Sequence, residues 1–203
     1  MYVDQGGQVN EIQHNLTNEF LKSMVTKKII NARILDSGCG DGYASQRFIE
    51  LGAMSVVAHD PFATLPGSTD KIHYKKSYIP LTDDFDIIWS HHVIEHVDNP
   101  VDYLQRLGSQ LKPNGELWLG CPNSATSAVF ADGHIHNFTI ANLVLCLQKA
   151  MLYVEIMSWF ITGGQLRIRI RKGFSQSFPR IMQQLIIKNK HFAVSTLPTK
   201  LNW

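Results

Sequence analysis

Ala32-Arg33-Ile34-Leu35-Asp36-Ser37-Gly38-Cys39-Gly40-Asp41-Gly42-Tyr43 is the stretch on which the fold turns. Ile34-Leu35 is a short apolar run of the kind that ends a buried strand, three alternating glycines predict a tight turn, and Tyr43 to Ile49 has the pattern of a helix. Glycine suits such a turn because backbone that approaches a ligand closely adopts dihedrals a Cβ would forbid. The N–H groups of the next helix's first turn then form a site for polar or anionic groups. A loop of this kind suits a nucleotide-like ligand.

Spacing narrows the choice. In the dinucleotide fingerprint G-x-G-x-x-G, Gly38 and Gly40 take the first two places but Tyr43 occupies the third, and no G-x-x-x-x-G-K-[ST] occurs for a P-loop. The pattern present is Asp-x-Gly-x-Gly-x-Gly, which resembles motif I of class I S-adenosylmethionine-dependent methyltransferases. A second apolar run, Met54 to His59, reads as a strand and ends in Asp60, about 20 residues beyond the first glycines, where a carboxylate can accept both ribose hydroxyls of a nucleoside. Asp60 can also be read as a turn residue before Pro61.

Upstream, Ile12, Leu16, Phe20, Met24 and Val25 recur at helical spacing, so Glu11 to Lys28 is predicted to be an amphipathic helix covering the sheet beside the glycine loop. Downstream, Phe62 to Asp70 contains Pro66-Gly67 and leaves too little room for a good crossover helix; a loop or degenerate helix is expected before a strand over Lys71 to Ser77. Asp84 to Ser90 reads as a strand and Val101 to Leu111 as a helix. Lys112-Pro113-Asn114-Gly115 is a helix stop and turn, and Glu116 to Cys121 a further strand closing on Pro122-Asn123.

Phe85-Asp86-Ile87-Ile88, Glu95-His96-Val97, Lys112-Pro113-Asn114-Gly115 and Pro122-Asn123 stand in the order of that methyltransferase family's later motifs. The resemblance runs roughly from residue 10 to 172 and is nearest the branch of ubiquinone-biosynthesis O-methyltransferases and related small-molecule enzymes. It implies an α/β fold: a doubly wound, Rossmann-like, seven-stranded sheet with an antiparallel last strand and helices on both faces. Toward the end, Thr139 is a good N-cap for a helix through Ala150. Met151 to Phe160 is β-prone, Gly163-Gly164 turns the chain, and Leu166-Arg167-Ile168-Arg169-Ile170-Arg171 alternates as a half-buried strand does. Its aliphatic side is expected in the core and its arginines toward solvent, a partner or an anionic substrate. Phe178, Ile181, Met182, Leu185 and Ile186 then form an apolar stripe beside Arg180, Lys188 and Lys190. Such a stripe suits either packing on its own domain or contact with an anionic membrane.

The 203 residues, 44% hydrophobic and 18% charged, are most simply one domain: a flexible N-terminus over 1–9, a core over 10–172 and a basic, helical extension over 173–203. Cys39, Cys121 and Cys146 are scattered, which argues for a reducing compartment and against a disulfide framework or zinc finger. No run approaches the roughly 20 apolar residues of a membrane span and the N-terminus lacks a signal peptide's regions, so a cytoplasmic protein is expected. The net charge of +2 conceals an asymmetry: residues 1–155 hold 11 basic and 17 acidic groups, residues 156–203 hold 8 and none. That basic end is either a solvated face or a contact for an anionic surface, membrane or nucleic acid.

For the site, the resemblance implies that Asp36 sits beneath the methionine part of S-adenosylmethionine, that Gly38, Cys39 and Gly40 line it, and that Asp60, followed by Pro61, holds the ribose. Many relatives read the adenine with an acidic residue after the third strand. Ser77-Tyr78 stands there instead, so Ser77 or a backbone carbonyl substitutes. Ser90, His91 and His92 leave the fourth strand at the sheet's ligand-binding end, which adds Ser90 and His91 to the cofactor contacts. Methyl transfer asks the protein for alignment and, with a hydroxyl nucleophile, a base. His91 or His92 is the candidate base, with His134 and His136 facing them from a late loop. His92, Glu95 and His96 also fall at i, i+3 and i+4, a workable metal-binding face, and some ubiquinone-pathway relatives use a similar E-x-x-E-H set; the first position here is His92, however, and Glu95-His96 reads rather as a structural pair that caps or packs the short helix. The leading expectation is an O- or N-methyltransferase of a small molecule, as monomer or homodimer. A macromolecule or RNA methyltransferase working through the basic segment and a cofactor-binding protein without catalysis are the alternatives.

Overall fold

A computed structural model describes residues 8–23, 26–76, 84–124, 133–150, 154–162 and 165–172. Of the expected flexible residues 1–9, residues 1–7 lie outside the described residues, as do the Ser77-Tyr78 adenine contact, the Gly163-Gly164 turn and the basic extension over 173–203, whereas residues 8 and 9 are helical. Helix α1 spans Gln8–Ser23 and a 3-10 turn Thr26–Lys28; strand β1 Arg33–Ser37, helix α2 Tyr43–Glu50, β2 Ser55–His59 and β3 Ile72–Lys75 follow. Then come β4 Phe85–His91, α3 Pro100–Gln110, β5 Leu111–Pro122, α4 Ile140–Lys149, β6 Val154–Thr162 and β7 Gln165–Lys172. The sheet order is β3-β2-β1-β4-β5-β7-β6. Strands β3, β2, β1, β4 and β5 pair in parallel, while β7 runs antiparallel to both β5 and β6. The chain therefore has the α/β sheet with a reversed last strand that its sequence predicts. The order reverses between β1 and β4, which opens a crevice at their carboxyl ends.

Alternation along the strands sends two apolar sets to opposite faces. Ile34, Ile87, Trp89 and Trp118 pack with Phe20 of α1 and Phe48 of α2. Leu35, Ile88, Leu117 and Leu119 pack with Leu104 of α3 and Leu143, Val144 and Leu147 of α4. Burying both faces explains why the central strands read as continuous apolar runs. Two helix starts follow directly from side chains. Asn99 Oδ1 accepts from the N–H groups of Val101 and Asp102 with Pro100 at the first helical position, and Thr139 forms a capping box with Asn142. No helix occupies residues 60–71, in keeping with Pro66-Gly67.

Two expectations are corrected. Lys112-Pro113-Asn114-Gly115 does not separate helix from strand but lies within β5 as a bulge. The pairing steps from Phe85↔Leu111 to Ile87↔Glu116, so these four residues oppose Asp86 alone; Asn114 takes φ 65° and Lys112 Nζ reaches Asp86 Oδ1 at 2.8 Å. The arginines of β7 do not all face outward: Arg167 and Arg169 are 3% and 6% exposed. Strand β7 lies inside the sheet, and both charges have partners. Arg169 clamps Glu116, with Nη2 at 2.8 Å from Oε1, and Lys28 and Trp118 Nε1 donate to the same carboxylate. Arg167 donates to the Leu16 carbonyl oxygen of α1 at 3.1 Å and lies over the Phe20 ring. Two of the basic groups that suggested an anionic partner are internal ties.

Candidate active site

A cavity of about 670 Å³ opens at the β1/β4 crevice. Its floor is the glycine loop between β1 and α2, where Gly38, Gly40 and Gly42 all take positive φ. At Gly38 this is a double requirement, since φ is 79° and an added Cβ would lie 2.1 Å from Val93 Cγ2.

The loop's N–H groups do not form the anion cradle that its sequence suggests. Gly38 and Cys39 donate to the His59 carbonyl at 2.7 and 3.1 Å, Gly40 donates to Asp60 Oδ2 at 3.0 Å, and Tyr43 donates to Asp41 Oδ1 at 3.0 Å. A backbone carbonyl and two carboxylates of the chain itself therefore take up the N–H groups that would otherwise be offered to a phosphate. With Asp36, Asp41 and Asp60 on its wall, the cavity suits a ligand carrying positive charge and hydroxyl donors.

Asp36 ends β1 and is 1% exposed. Ser45 Oγ donates to its Oδ2 at 2.6 Å, while Oδ1 has no hydrogen-bond partner among the described residues. Burial pushes its carboxyl up to about 7; the Ser45 bonds oppose that rise and the neighbouring Asp60 and Asp41 charges reinforce it. A buried, partnerless carboxylate oxygen beside a cavity is matched by a cationic ligand. Asp60 is fixed differently: Gly40 N–H binds Oδ2, and the N–H groups of Phe62 and Ala63 bind Oδ1, each at 2.9 Å. Oδ1 thus accepts two bonds and Oδ2 one, so Asp60 keeps acceptor capacity on Oδ2. Beside it Phe62 stands 85% exposed on the cavity wall. Cys39 is no nucleophile here, because burial and Asp36 raise its thiol far above neutrality.

The opposite wall comes from the end of β4. His91 is buried, with Nδ1 3.5 Å from Thr17 Oγ1, and burial, aided by His92 and Arg167, holds it well below the usual histidine range. His92 takes φ 57°, a left-handed conformation rare outside glycine and concentrated at functional sites. The residue lines the cavity; its Nδ1 lies 3.0 Å from Glu95 Oε1, and its Nε2 is buried with no hydrogen-bond partner among the described residues. Glu95 is 1% exposed, so an imidazole oriented by a buried carboxylate faces the cavity.

Of the candidate residues, Asp36, Gly38, Cys39, Gly40, Asp60, Pro61, His91 and His92 line this cavity. Ser90 does not; its hydroxyl is turned to Tyr103 Oη at 2.8 Å, which also meets Ser37 Oγ at 3.0 Å. His134 does not line it either but packs against His96 behind the wall, with ring centroids 4.7 Å apart. Sequence reasoning passed over Tyr103 and the α1 residues Gln13, His14 and Thr17, all on the cavity wall. Polar Gln13 and Thr17, four apart in an amphipathic helix, were a usable signal for the second group. Tyr103 offered none.

The sequence matches the family described as a methyltransferase domain over residues 9–155, well over half of the chain. The chain belongs to that family. The chain is 33% identical over 104 residues to the tRNA U34 carboxymethyltransferase of Shewanella pealeana, covering 45% of the chain and 32% of that protein. It is 38% identical over 95 residues to the ubiquinone biosynthesis O-methyltransferase of Rhodopseudomonas palustris, covering 41% of the chain and 37% of that protein. The chain thus spans about a third of the length of the curated relatives it matches. Among solved structures, an S-adenosylmethionine dependent methyltransferase from Mesorhizobium loti superposes with TM-score 0.65 at 15% identity, over 76% of this chain and 96% of that one. The Burkholderia thailandensis 1,6-didemethyltoxoflavin-N1-methyltransferase, solved with 1,6-didemethyltoxoflavin and S-adenosylhomocysteine, does so with TM-score 0.57 at 17% identity, over 85% and 93%. These structures share its fold. No helix among the described residues is long and apolar enough to cross a membrane.

Proposed function

We propose that the protein is an S-adenosylmethionine-dependent methyltransferase acting on an oxygen or nitrogen of a small-molecule acceptor. The observation that carries the reading is the ring of carboxylates around the glycine loop, with Asp36 Oδ1 buried and unpartnered. A sulfonium cofactor with an ammonium group and a ribose supplies the positive charge and hydroxyls this wall lacks, whereas a dinucleotide pyrophosphate would meet like charge. Asp36, Gly38, Cys39 and Gly40 would hold its methionine end, Asp60 a ribose hydroxyl, and the exposed Phe62 ring is available for stacking on the adenine. When bound, the cofactor supplies an electrophilic methyl group.

What remains for the protein is alignment, exclusion of water and acceptance of one proton. His92 is the acceptor of that proton in this reading, because Glu95 accepts its Nδ1–H and so leaves Nε2 as the basic nitrogen of a ring that belongs to the cavity wall. His91, buried and kept neutral, shapes the wall beside it. A small acceptor is favoured because α1 forms part of the wall and is tied to the glycine loop: His14 Nε2 lies 2.7 Å from Asp41 Oδ2 and stacks on Tyr43, and Asn18 Nδ2 donates to Tyr43 Oη at 2.7 Å. The internal use of Arg167 and Arg169 also weakens the reading as an RNA methyltransferase. Calorimetric titration with S-adenosylhomocysteine tests the cofactor assignment. Binding in the micromolar range, weakened at least tenfold in Asp60→Ala, is expected; full-strength binding by that variant would refute the ribose assignment, and no binding to the wild type the whole reading.

A further inference from the structure

The amino-acid end of S-adenosylmethionine carries an ammonium and a carboxylate on one carbon atom. Asp36 would hold the ammonium, but the glycine loop is a poor partner for the carboxylate. The N–H groups of Gly38, Cys39, Gly40, Gly42 and Tyr43 are all bonded within the chain, Gly42 to the Cys39 carbonyl at 2.9 Å, and Ser45 gives its backbone bond to Asp36. Asp36, Asp41 and Asp60 on the same wall repel a further negative charge.

The place of Asp36 decides which element supplies the missing donors. Side chains alternate along β1, so Asp36 shares a sheet face with Ile34, which packs with Phe20 of α1, whereas Leu35 packs with Leu104 of α3. The amino-acid end therefore lies on the α1 side of β1. Arg106 lines the cavity from α3 on the opposite face, where Tyr103 of the same helix meets Ser37. Helix α1 is fastened over the loop: His14 Nε2 lies 2.7 Å from Asp41 Oδ2, and its ring stacks on Tyr43 with centroids 3.8 Å apart. Gln13, beside His14 in the chain, and Thr17, one turn on, both line the cavity. Positions four apart share one face of a helix, so an amide and a hydroxyl stand together on this wall. The Gln13 side chain is half-buried and makes no hydrogen bond among the described residues. The Thr17 hydroxyl is 7% exposed and has only His91 Nδ1 beside it among those residues, at a marginal 3.5 Å. Amide N–H and hydroxyl O–H are both donors that a carboxylate accepts.

We infer that the Gln13 amide and the Thr17 hydroxyl hold the carboxylate of the cofactor's amino-acid end, which makes α1 part of the cofactor site as well as of the acceptor wall. The inference rests on the S-adenosylmethionine reading, and its test separates the two. The full chain and its variants are titrated calorimetrically with S-adenosylhomocysteine and with 5′-methylthioadenosine, a nucleoside thioether that has the adenine and ribose but no amino-acid end. Gln13→Glu, close in size but of like charge to the carboxylate, should bind S-adenosylhomocysteine at least tenfold more weakly, and Thr17→Val about tenfold, the worth of one hydrogen bond to a charged group. Both variants should bind 5′-methylthioadenosine within about twofold of the wild type, because neither residue would touch the nucleoside. Thr17→Ser, which keeps the hydroxyl, should bind both ligands as the wild type does. Thermal melting identifies the folded variants, and Gln13→Ala serves if the glutamate variant does not fold. Equal weakening of both ligands in a folded variant would reduce α1 to a shaping element and overturn the inference, as would unchanged S-adenosylhomocysteine affinity. A wild type that binds neither ligand would refute the cofactor reading itself.

Discussion

Replacing Asp36 by asparagine should make the protein more stable while weakening its hold on a cationic ligand, and the gain should depend on pH in a defined way. The carboxyl is buried and its folded value is pushed from 3.8 up to about 7. Below pH 3.8 Asp36 is neutral folded and unfolded, so the variant and the wild type differ only through the Ser45 hydrogen bond, on the order of 1 kcal/mol. Between pH 4 and 7 the unfolded chain ionises Asp36 while the folded chain keeps it protonated, and wild-type stability falls relative to the variant by about 1.4 kcal/mol per pH unit. Above pH 7 both states are ionised and the difference levels off near 4 kcal/mol, from about three units of displacement. Urea unfolding of both proteins at half-unit steps from pH 4 to 9 reads this directly. Asparagine keeps the volume and an acceptor for Ser45, so packing effects shift the whole curve without changing its slope. A stability difference that is flat across pH 4 to 7 would refute the argument that burial of a single carboxyl dominates here.

Two other substitutions probe separate parts of the molecule. Glu116→Gln removes the charge that neutralises buried Arg169 and should destabilise the fold by about 3–5 kcal/mol in urea unfolding at pH 7. In the wild type burial alone would raise Glu116, but its bonds to Arg169, Lys28 and Trp118 prevail and hold it at about 2, so the stability it confers is present above its unfolded value of 4.5 and drains away as pH falls toward 2. His92→Gln should lower the rate of methyl transfer to an acceptor hydroxyl by about 10²–10⁴ while S-adenosylhomocysteine affinity changes less than threefold by calorimetry. A parallel loss of cofactor affinity would mean His92 is a binding residue instead.

The contrast between what the sequence reveals and what it hides follows from the range of the interactions concerned. Strand β1, the glycine turn and helix α2 are written in consecutive residues, because a turn with positive φ at Gly38 and Gly42 is a local demand that only local residue choice can meet. The cap at Thr139 is legible for the same reason. The role of a charged side chain is not local. Leu166-Arg167-Ile168-Arg169-Ile170 has the alternation of a strand with one wet face, yet both faces are buried, because Glu116 lies 53 residues away in sequence and beside Arg169 in space. Period two reports that side chains alternate between faces; it says nothing about whether the polar face meets water or a counter-charge. The site shows the same division. Motif spacing finds the positions around the glycine loop, but whether its N–H groups await a phosphate is decided by Asp60 Oδ2 on Gly40 and His59 on Gly38 and Cys39, contacts formed only when β2 lies beside β1. Those long-range bonds convert a nominal anion cradle into an acidic wall, so the sign of the ligand's charge is a property of the fold that the motif alone does not carry.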